Sequence, residues 1–114
     1  MDNELDWLEI GIAKNMMLHH MKTSGVWPEK HLMSLATFYV RLETHTIRQR
    51  AHGDRTVIIY QHRVRREWFD ALKRNNSFNI DLINDALMET IHNEVLDEVR
   101  EKSLREVRVW LPAD

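Results

Sequence analysis

The stretch VIIYQHRVRREWFDAL, residues 57–72, opens with four strand-forming residues and runs into a basic cluster beside two aromatics. It fits either a strand followed by a basic patch or one amphipathic helix. The alternation of a half-buried strand is absent, because the first four residues are all apolar or aromatic. The large apolar residues instead recur at spacings of 3, 4, 4 and 4, which marks one face of a helix. These residues are Val57, Tyr60, Val64, Trp68 and Leu72.

The remaining segments also favour helices. Only 3 glycines and 2 prolines interrupt the chain, which leaves few tight turns for a protein built from many strands. Periodicity, Pro28, Gly53 and Asp54 predict helices over about 3–23, 28–51, 54–74 and 80–107. We therefore expect an all-α fold, a compact bundle of about four helices with a long C-terminal helix, in which residues 1–114 form a single helical domain. The α+β alternative pairs residues 56–61 with 107–111 in a small hairpin.

The apolar pattern also predicts which faces are buried. In the first helix Leu5, Leu8, Ile12 and Met16 keep helical spacing, and further apolar residues surround much of its circumference. That pattern predicts a central helix. In the second helix the inner face is predicted to contain Leu32, Leu35, Ala36, Tyr39, Leu42 and Thr46, with Phe38 and Val40 widening it.

Composition narrows the class of protein. Hydrophobic residues make up 43% of the 114 residues and charged residues 30%, which is typical of a globular domain. The chain has no cysteine, so disulfides, thiolate zinc sites and cysteine nucleophiles are excluded. Its acidic N-terminus does not resemble a signal peptide, and no apolar run approaches a membrane span. We expect a cytoplasmic protein without a membrane partner.

Charge is unevenly distributed along the chain. Residues 41–74 hold 9 basic and 4 acidic side chains, whereas residues 75–114 hold 4 basic and 9 acidic. One interpretation is that the acidic fourth helix compensates the basic segment, within the chain or across a dimer. Alternatively, the basic segment faces an acidic partner. We favour the first interpretation, because runs of charge are usually solvated or compensated locally.

The third helix carries the strongest candidate binding residues. At about 100° per residue, Arg55, His62, Arg66 and Lys73 fall in one stripe opposite Trp68. With Arg63 and Arg65 beside it, the stripe is a candidate site for a protein partner or for phosphates. The alternative interpretation is the solvated face of an amphipathic helix, because Glu67 and Asp70 interrupt the basic run and the net charge of the chain is −2.

One pair on that stripe resembles a catalytic motif. Six residues separate Arg55 from His62, the upper limit of the Arg-x4–6-His spacing of HEPN-type helical ribonucleases. The resemblance covers two residues and implies a dimeric ribonuclease with histidine as acid–base and arginine as phosphate ligand. In the fourth helix, Glu89-x-x-His92 is half of a di-iron motif, and the chain has no second Glu-x-x-His. We predict neither a cofactor nor a metal.

The four tryptophans bear on interactions. Trp7 and Trp68 are expected in the core, whereas Trp27 and Trp110 are candidate interface residues or covers for the ends of the bundle.

Taken together, the sequence predicts a small non-enzymatic interaction protein, a regulator, adaptor or inhibitor, that binds a protein partner and self-associates as a homodimer through its fourth helix. The alternatives are nucleic-acid binding through residues 55–74 and the ribonuclease with Arg55 and His62.

Overall fold

The computed structural model describes the backbone of residues 2–110 and the side chains of residues 7–110. Its elements are α1 (Asp2–Ser24), α2 (Glu29–Glu43), a short 3₁₀-helix (Thr46–Gln49), α3 (Gly53–Lys73) and α4 (Asp85–Trp110). The described residues contain no strand, so the all-α prediction is confirmed. The hairpin alternative is wrong, because residues 56–61 lie within α3 and residues 107–110 continue α4. Residue 111 lies outside the described part.

The centre of the fold is α3. Val57, Tyr60, Val64 and Trp68 are buried, as their spacing predicts, and Leu72 is half-buried against the same core. The helix contacts α1, α4 and the 3₁₀-helix. Trp68 is the largest fully buried side chain, so residues 57–72 form the central part of the core.

The second helix is shorter than predicted, and the boundary has a local cause. It ends at Glu43 rather than near Ala51, and the 3₁₀-helix follows. His45 begins that turn, because its Nδ1 accepts a hydrogen bond of 3.0 Å from the Ile47 amide. The turn places the Ile47 side chain in the core. The pattern of a continuous α-helix did not predict Ile47 as a core residue. Thr46 and Val40, both predicted to be inward, are exposed.

The start of α3 also differs from the prediction. His52, rather than Asp54, precedes the helix, and it has left-handed backbone geometry with φ 58°. Gly53 then passes close to the 3₁₀-helix: a Cβ at this position would lie 1.9 Å from the Ile47 carbonyl oxygen. The Asp54 carboxylate instead accepts a 2.7 Å hydrogen bond from Arg48 Nε.

The beginning of α4 is anchored to α3. Asn84 caps the helix, because its side-chain oxygen accepts from the Leu87 amide at 3.0 Å. The Asn84 amide in turn donates to the Tyr60 hydroxyl at 2.8 Å. The predicted start near Ile80 is therefore five residues too early, although Ile80 itself is buried in the loop before α4.

The first helix is peripheral rather than central. Three residues of its predicted inner stripe, Leu8, Ile12 and Met16, are exposed, and the fourth, Leu5, lies outside the described side chains. The helix packs on the core through its other apolar side, with Met21 buried. The partly buried residues of that side are Trp7, Ile10, Met17 and Leu18. A helix with apolar residues on most sides does not reveal from sequence which side is inward.

The C-terminal half of α4 leaves the body of the protein. All residues from 100 to 110, the segment that we call the α4 tail, are exposed. The molecule is correspondingly elongated, at 67 × 26 × 25 Å. None of the described helices combines the length and the apolarity that crossing a membrane requires.

Candidate functional site: a basic groove beside α3

Ion pairs join the basic segment to the acidic residues that follow it. Arg63 lies 3.1 Å from Glu94, and Arg55 lies 3.7 Å from Glu98, both between α3 and α4. Two further ion pairs, Arg41–Asp81 and Arg50–Glu89, and a contact of 2.9 Å between His45 Nε2 and Asp85 Oδ1 connect the end of α2 and its following turn to residues 81–89. The charges of residues 41–74 are thus partly compensated within the chain, the interpretation favoured from the sequence. Each exposed pair contributes about 1 kcal/mol or less, so the pairs orient α4 more than they stabilise it.

The other flank of α3 borders an open groove of about 900 Å³. The groove lies among α1, the loop between α1 and α2, and the second half of α3. Four of the six predicted binding residues line this cavity, which we call the basic groove: His62, Arg65, Arg66 and Lys73. The other two, Arg55 and Arg63, do not line it, and they face α4 instead.

The floor of the basic groove is apolar and aromatic. Trp27, a predicted interface residue, lies in the loop before α2 and packs edge-on against Phe69, with ring centroids 5.8 Å apart. Further apolar lining comes from Met17, Val26 and Leu72. Sequence inspection missed Phe69 and Val26 as groove residues. Phe69 is adjacent to the core-facing Trp68, and Val26 lies in a loop, so periodicity gave no signal for either.

Hydrogen bonds fix one wall of the groove. Arg65 donates to the Tyr39 hydroxyl at 3.3 Å, and that hydroxyl donates to Gln61 Oε1 at 2.8 Å. Burial raises the pKa of Tyr39, while the Arg65 charge opposes that change. The phenol therefore stays protonated near neutral pH and keeps its donor role. Arg65 is consequently tied to α2, whereas Arg66 and Lys73 remain exposed beside the groove.

The pKa of His62 reflects both its burial and the cations beside it. Desolvation lowers the pKa of His62 below its ordinary value, and the charges of Arg65 and Arg66 lower it further. Among the described residues, one acid shares each cavity with His62: Asp70 lines the basic groove, and Glu9 of α1 lines a smaller cavity. At neutral pH His62 is therefore an uncharged imidazole beside the cations Arg65 and Arg66.

This environment gives a testable titration. We expect Arg66→Gln to raise the pKa of His62 towards its ordinary value, because one repelling cation is removed while desolvation remains. In the native protein, the lowered pKa means that folding disfavours protonation, so any stability from His62 is complete above the unfolded pKa and falls as pH drops. NMR titration of the His62 Cε1–H signal measures the shift. Lys102→Gln, in the α4 tail, should leave it unchanged.

The ribonuclease pair is not assembled in one cavity. His62 lines the basic groove and a smaller cavity of about 350 Å³, and Arg55 lines neither. The Arg55 guanidinium lies beside Glu98 instead. A phosphate placed against His62 would therefore meet Arg65 and Arg66 before Arg55.

The half di-iron motif has structural contacts. Glu89 pairs with Arg50, and His92 is buried with its Nε2 2.9 Å from the Ala51 carbonyl oxygen. No group of three or more histidine, aspartate or glutamate side chains among the described residues could hold a metal ion. Both motif residues thus connect α4 to the turn before α3.

The two candidate interface tryptophans have different environments. Trp27 is half-buried against Phe69, whereas Trp110, at the last described position of α4, is 86% exposed. Trp110 therefore does not cover the end of the bundle in one chain. Trp7 is only partly buried, and its ring lies 4.0 Å from the Arg48 guanidinium in a cation–π contact.

Comparisons with known proteins give no relative for this chain. No family model matches it, and neither curated proteins nor solved structures provide a significant match. The chemistry of its own surface is therefore the basis for a functional proposal.

Proposed function

We propose that this protein is a small non-enzymatic interaction protein that binds a protein partner and self-associates as a homodimer through the α4 tail. The observation that supports it most strongly is the tail itself. Most helical stability in proteins comes from packing of an apolar face, and no other described part of the chain covers residues 100–110. A helix of this kind is stabilised when another surface packs on it.

The tail has an apolar stripe suited to such packing. Val107 and Trp110 share one helix face with Val99, which lies just before the tail, and Leu104 flanks that face; Ser103 is its one polar position. Val107 is 53% exposed and Trp110 86%, so this face is open in the single chain. Exposed apolar surface of this kind is typical of an interface between proteins.

The order of charges along the tail favours a second copy as the partner. Residues 97–101 carry a net charge of −2, and residues 102–110 carry +2. Two antiparallel α4 helices would place the acidic residues 97–101 of each chain beside the basic residues 102–110 of the other. A two-fold dimer is the closed arrangement that uses the same surface of both chains. Glu98 also binds Arg55, which fixes the base of the tail to α3.

Two valines of the tail provide a matched test. We expect the wild-type protein to be a dimer and Val107→Glu to weaken dimerisation by about 100-fold or more, because the substitution buries an unpaired carboxylate. Val109→Glu makes the same substitution two residues further along the chain, on the opposite side of the helix, where the valine is 82% exposed. It should remain a dimer. Light scattering after gel filtration, over a range of concentrations, gives the dissociation constants.

Three results would contradict the proposal. The first is a wild-type protein that is monomeric at high concentration, and the second is equal dimerisation of the two valine variants. The third is a dimer that resists Val107→Glu but dissociates with Ile12→Glu. That result would move the interface to the exposed stripe of α1, which also contains Leu8 and Met16.

The alternative functions receive less support from the geometry. A phosphate-binding array along α3 requires free cations, and Arg55 and Arg63 lie against carboxylates of α4. The ribonuclease pair is not brought together within one chain, since Arg55 lines neither cavity that contains His62. The interaction hypothesis requires neither arrangement.

A further inference from the structure

The cations of α3 divide into two sets by the charges that surround them. Arg55, near the start of the helix, and Arg63 pair with Glu98 and Glu94 of α4. Further along the helix, Arg66 and Lys73 line the basic groove and form no ion pair within the part of the chain that the structure describes. The part of α3 that borders the groove therefore carries positive charge that α4 does not compensate.

That positive side borders an apolar floor. Trp27, Phe69 and Leu72 line the groove from two separate elements, the loop before α2 and α3. Asp70 is the acid in the described lining. A cavity with cations at its edge and apolar side chains at its base complements a ligand that has carboxylates on one side and apolar groups on the other.

We propose that the basic groove binds an acidic amphipathic helical segment of a partner protein. The leucine-like side chains of such a helix would pack on Trp27 and Phe69, and its flanking carboxylates would lie near Arg66 and Lys73. This is the helix-in-groove mode of recognition, in which residues at i, i+3, i+4 and i+7 supply the anchors. The inference rests on the proposed interaction function and is independent of dimerisation through the α4 tail.

The geometry favours a peptide over nucleic acid. Single-stranded nucleic acid is bound by cations that follow the backbone and by open aromatic faces on which bases stack. Here Trp27 and Phe69 contact each other edge-on, at an interplanar angle of 74°, rather than forming parallel platforms. Two of the six α3 candidate cations are already paired with α4. The groove thus combines apolar lining residues with a few cations, which suits a peptide better than a nucleic-acid backbone.

Three synthetic probes distinguish the ligand chemistries. The first is a fluorescein-labelled peptide with leucines at i, i+3, i+4 and i+7 and with glutamate and alanine elsewhere. The second has lysine in place of each glutamate, and the third is single-stranded oligo-dT. Fluorescence anisotropy should show binding of the glutamate peptide that weakens with added salt, and at least about tenfold weaker binding of the lysine peptide. Tighter binding of oligo-dT than of the glutamate peptide would overturn the proposal in favour of nucleic acid.

Paired variants locate the site. Arg66→Glu with Lys73→Glu should weaken binding of the glutamate peptide by about tenfold or more, because both changes place repelling charges at the groove. Lys102→Glu with Arg108→Glu makes the same change of net charge in the α4 tail, and it should alter binding by less than about twofold. Equal losses in the two pairs would show a general charge effect and would overturn the groove assignment.

Further variants test whether a loss of binding results from misfolding or from loss of the dimer. Arg66→Gln with Lys73→Gln keeps the groove polar and should give an intermediate loss, with an unchanged circular dichroism spectrum. No loss in this neutral pair and none in the glutamate pair would refute the proposal. Val107→Glu should bind the peptide normally even as a monomer. Failure of the tail proposal and failure of the groove proposal therefore give different results.

Discussion

Gly53→Ala is expected to lower the free energy of unfolding by about 3 kcal/mol or more. The added Cβ would lie 1.9 Å from the Ile47 carbonyl oxygen and 2.8 Å from the Arg48 Cα, both backbone atoms of the 3₁₀-helix. Neither can move as a flexible side chain would. The 3₁₀-helix must shift away from α3, which withdraws Ile47 from the core.

A second glycine provides the control for this prediction. Gly11 lies within α1, where an added Cβ meets no atom within 4 Å. Gly11→Ala should raise stability by about 0.5–1 kcal/mol, because alanine is the better helix former. Thermal unfolding followed by circular dichroism compares the two. Gly53→Ala should lower Tm by about 10 °C or more. A change within 1 °C or 2 °C of the wild type, in either direction, would show that the close approach is not required.

The buried face of α3 was predictable because its signal is local. Val57, Tyr60, Val64 and Trp68 repeat at helical spacing, and any helix with that pattern buries that face. In α1 the same rule gave the wrong side. Apolar residues occupy both its faces, so the choice between Ile12 and its opposite face depends on which surface the other helices offer. That information lies outside the segment.

The turn between α2 and α3 was unpredictable for a related reason. Helical pattern continues past Glu43 in the sequence, whereas the structure turns so that Ile47 enters the core. The turn depends on the close approach at Gly53, a contact between two backbones that no side-chain pattern records. From sequence, Gly53 was evident only as a helix stop.

The candidate site was predictable in part. Amphipathic spacing located His62, Arg66 and Lys73 on the outer face of α3, where the structure has them. The sequence did not show that Arg55 and Arg63 turn towards α4, because their partners lie 43 and 31 residues away. Nor did it show that Trp27 lies beside Phe69. Segregated charge indicated compensation, but only the fold selects which cations are compensated.

Trp68→Ala is expected to cost about 3–5 kcal/mol of stability, the range for removing a large aromatic side chain from a core. Trp68 is 1% exposed, and its ring lies in edge contact with His31, at 5.8 Å between centroids. It also packs beside Phe69, at 5.3 Å. Phe69 forms part of the groove floor, so the cavity left by Trp68 would loosen the groove as well as the core.

Trp110→Ala is the matched control, since it deletes the same side chain from a position that is 86% exposed. Urea unfolding followed by circular dichroism, at protein concentrations low enough for monomer, should show a change of less than about 0.5 kcal/mol for Trp110→Ala. A loss for Trp68→Ala no larger than that of Trp110→Ala would mean that α3 does not form the core. At higher concentration the costs of the two substitutions should approach each other, because Trp110 lies on the tail stripe and Trp68 does not. Trp110→Ala should then lower the apparent stability by removing dimer contacts, since association stabilises the folded state in proportion to the logarithm of concentration. The same residue type thus tests the core at one position and the proposed dimer at the other.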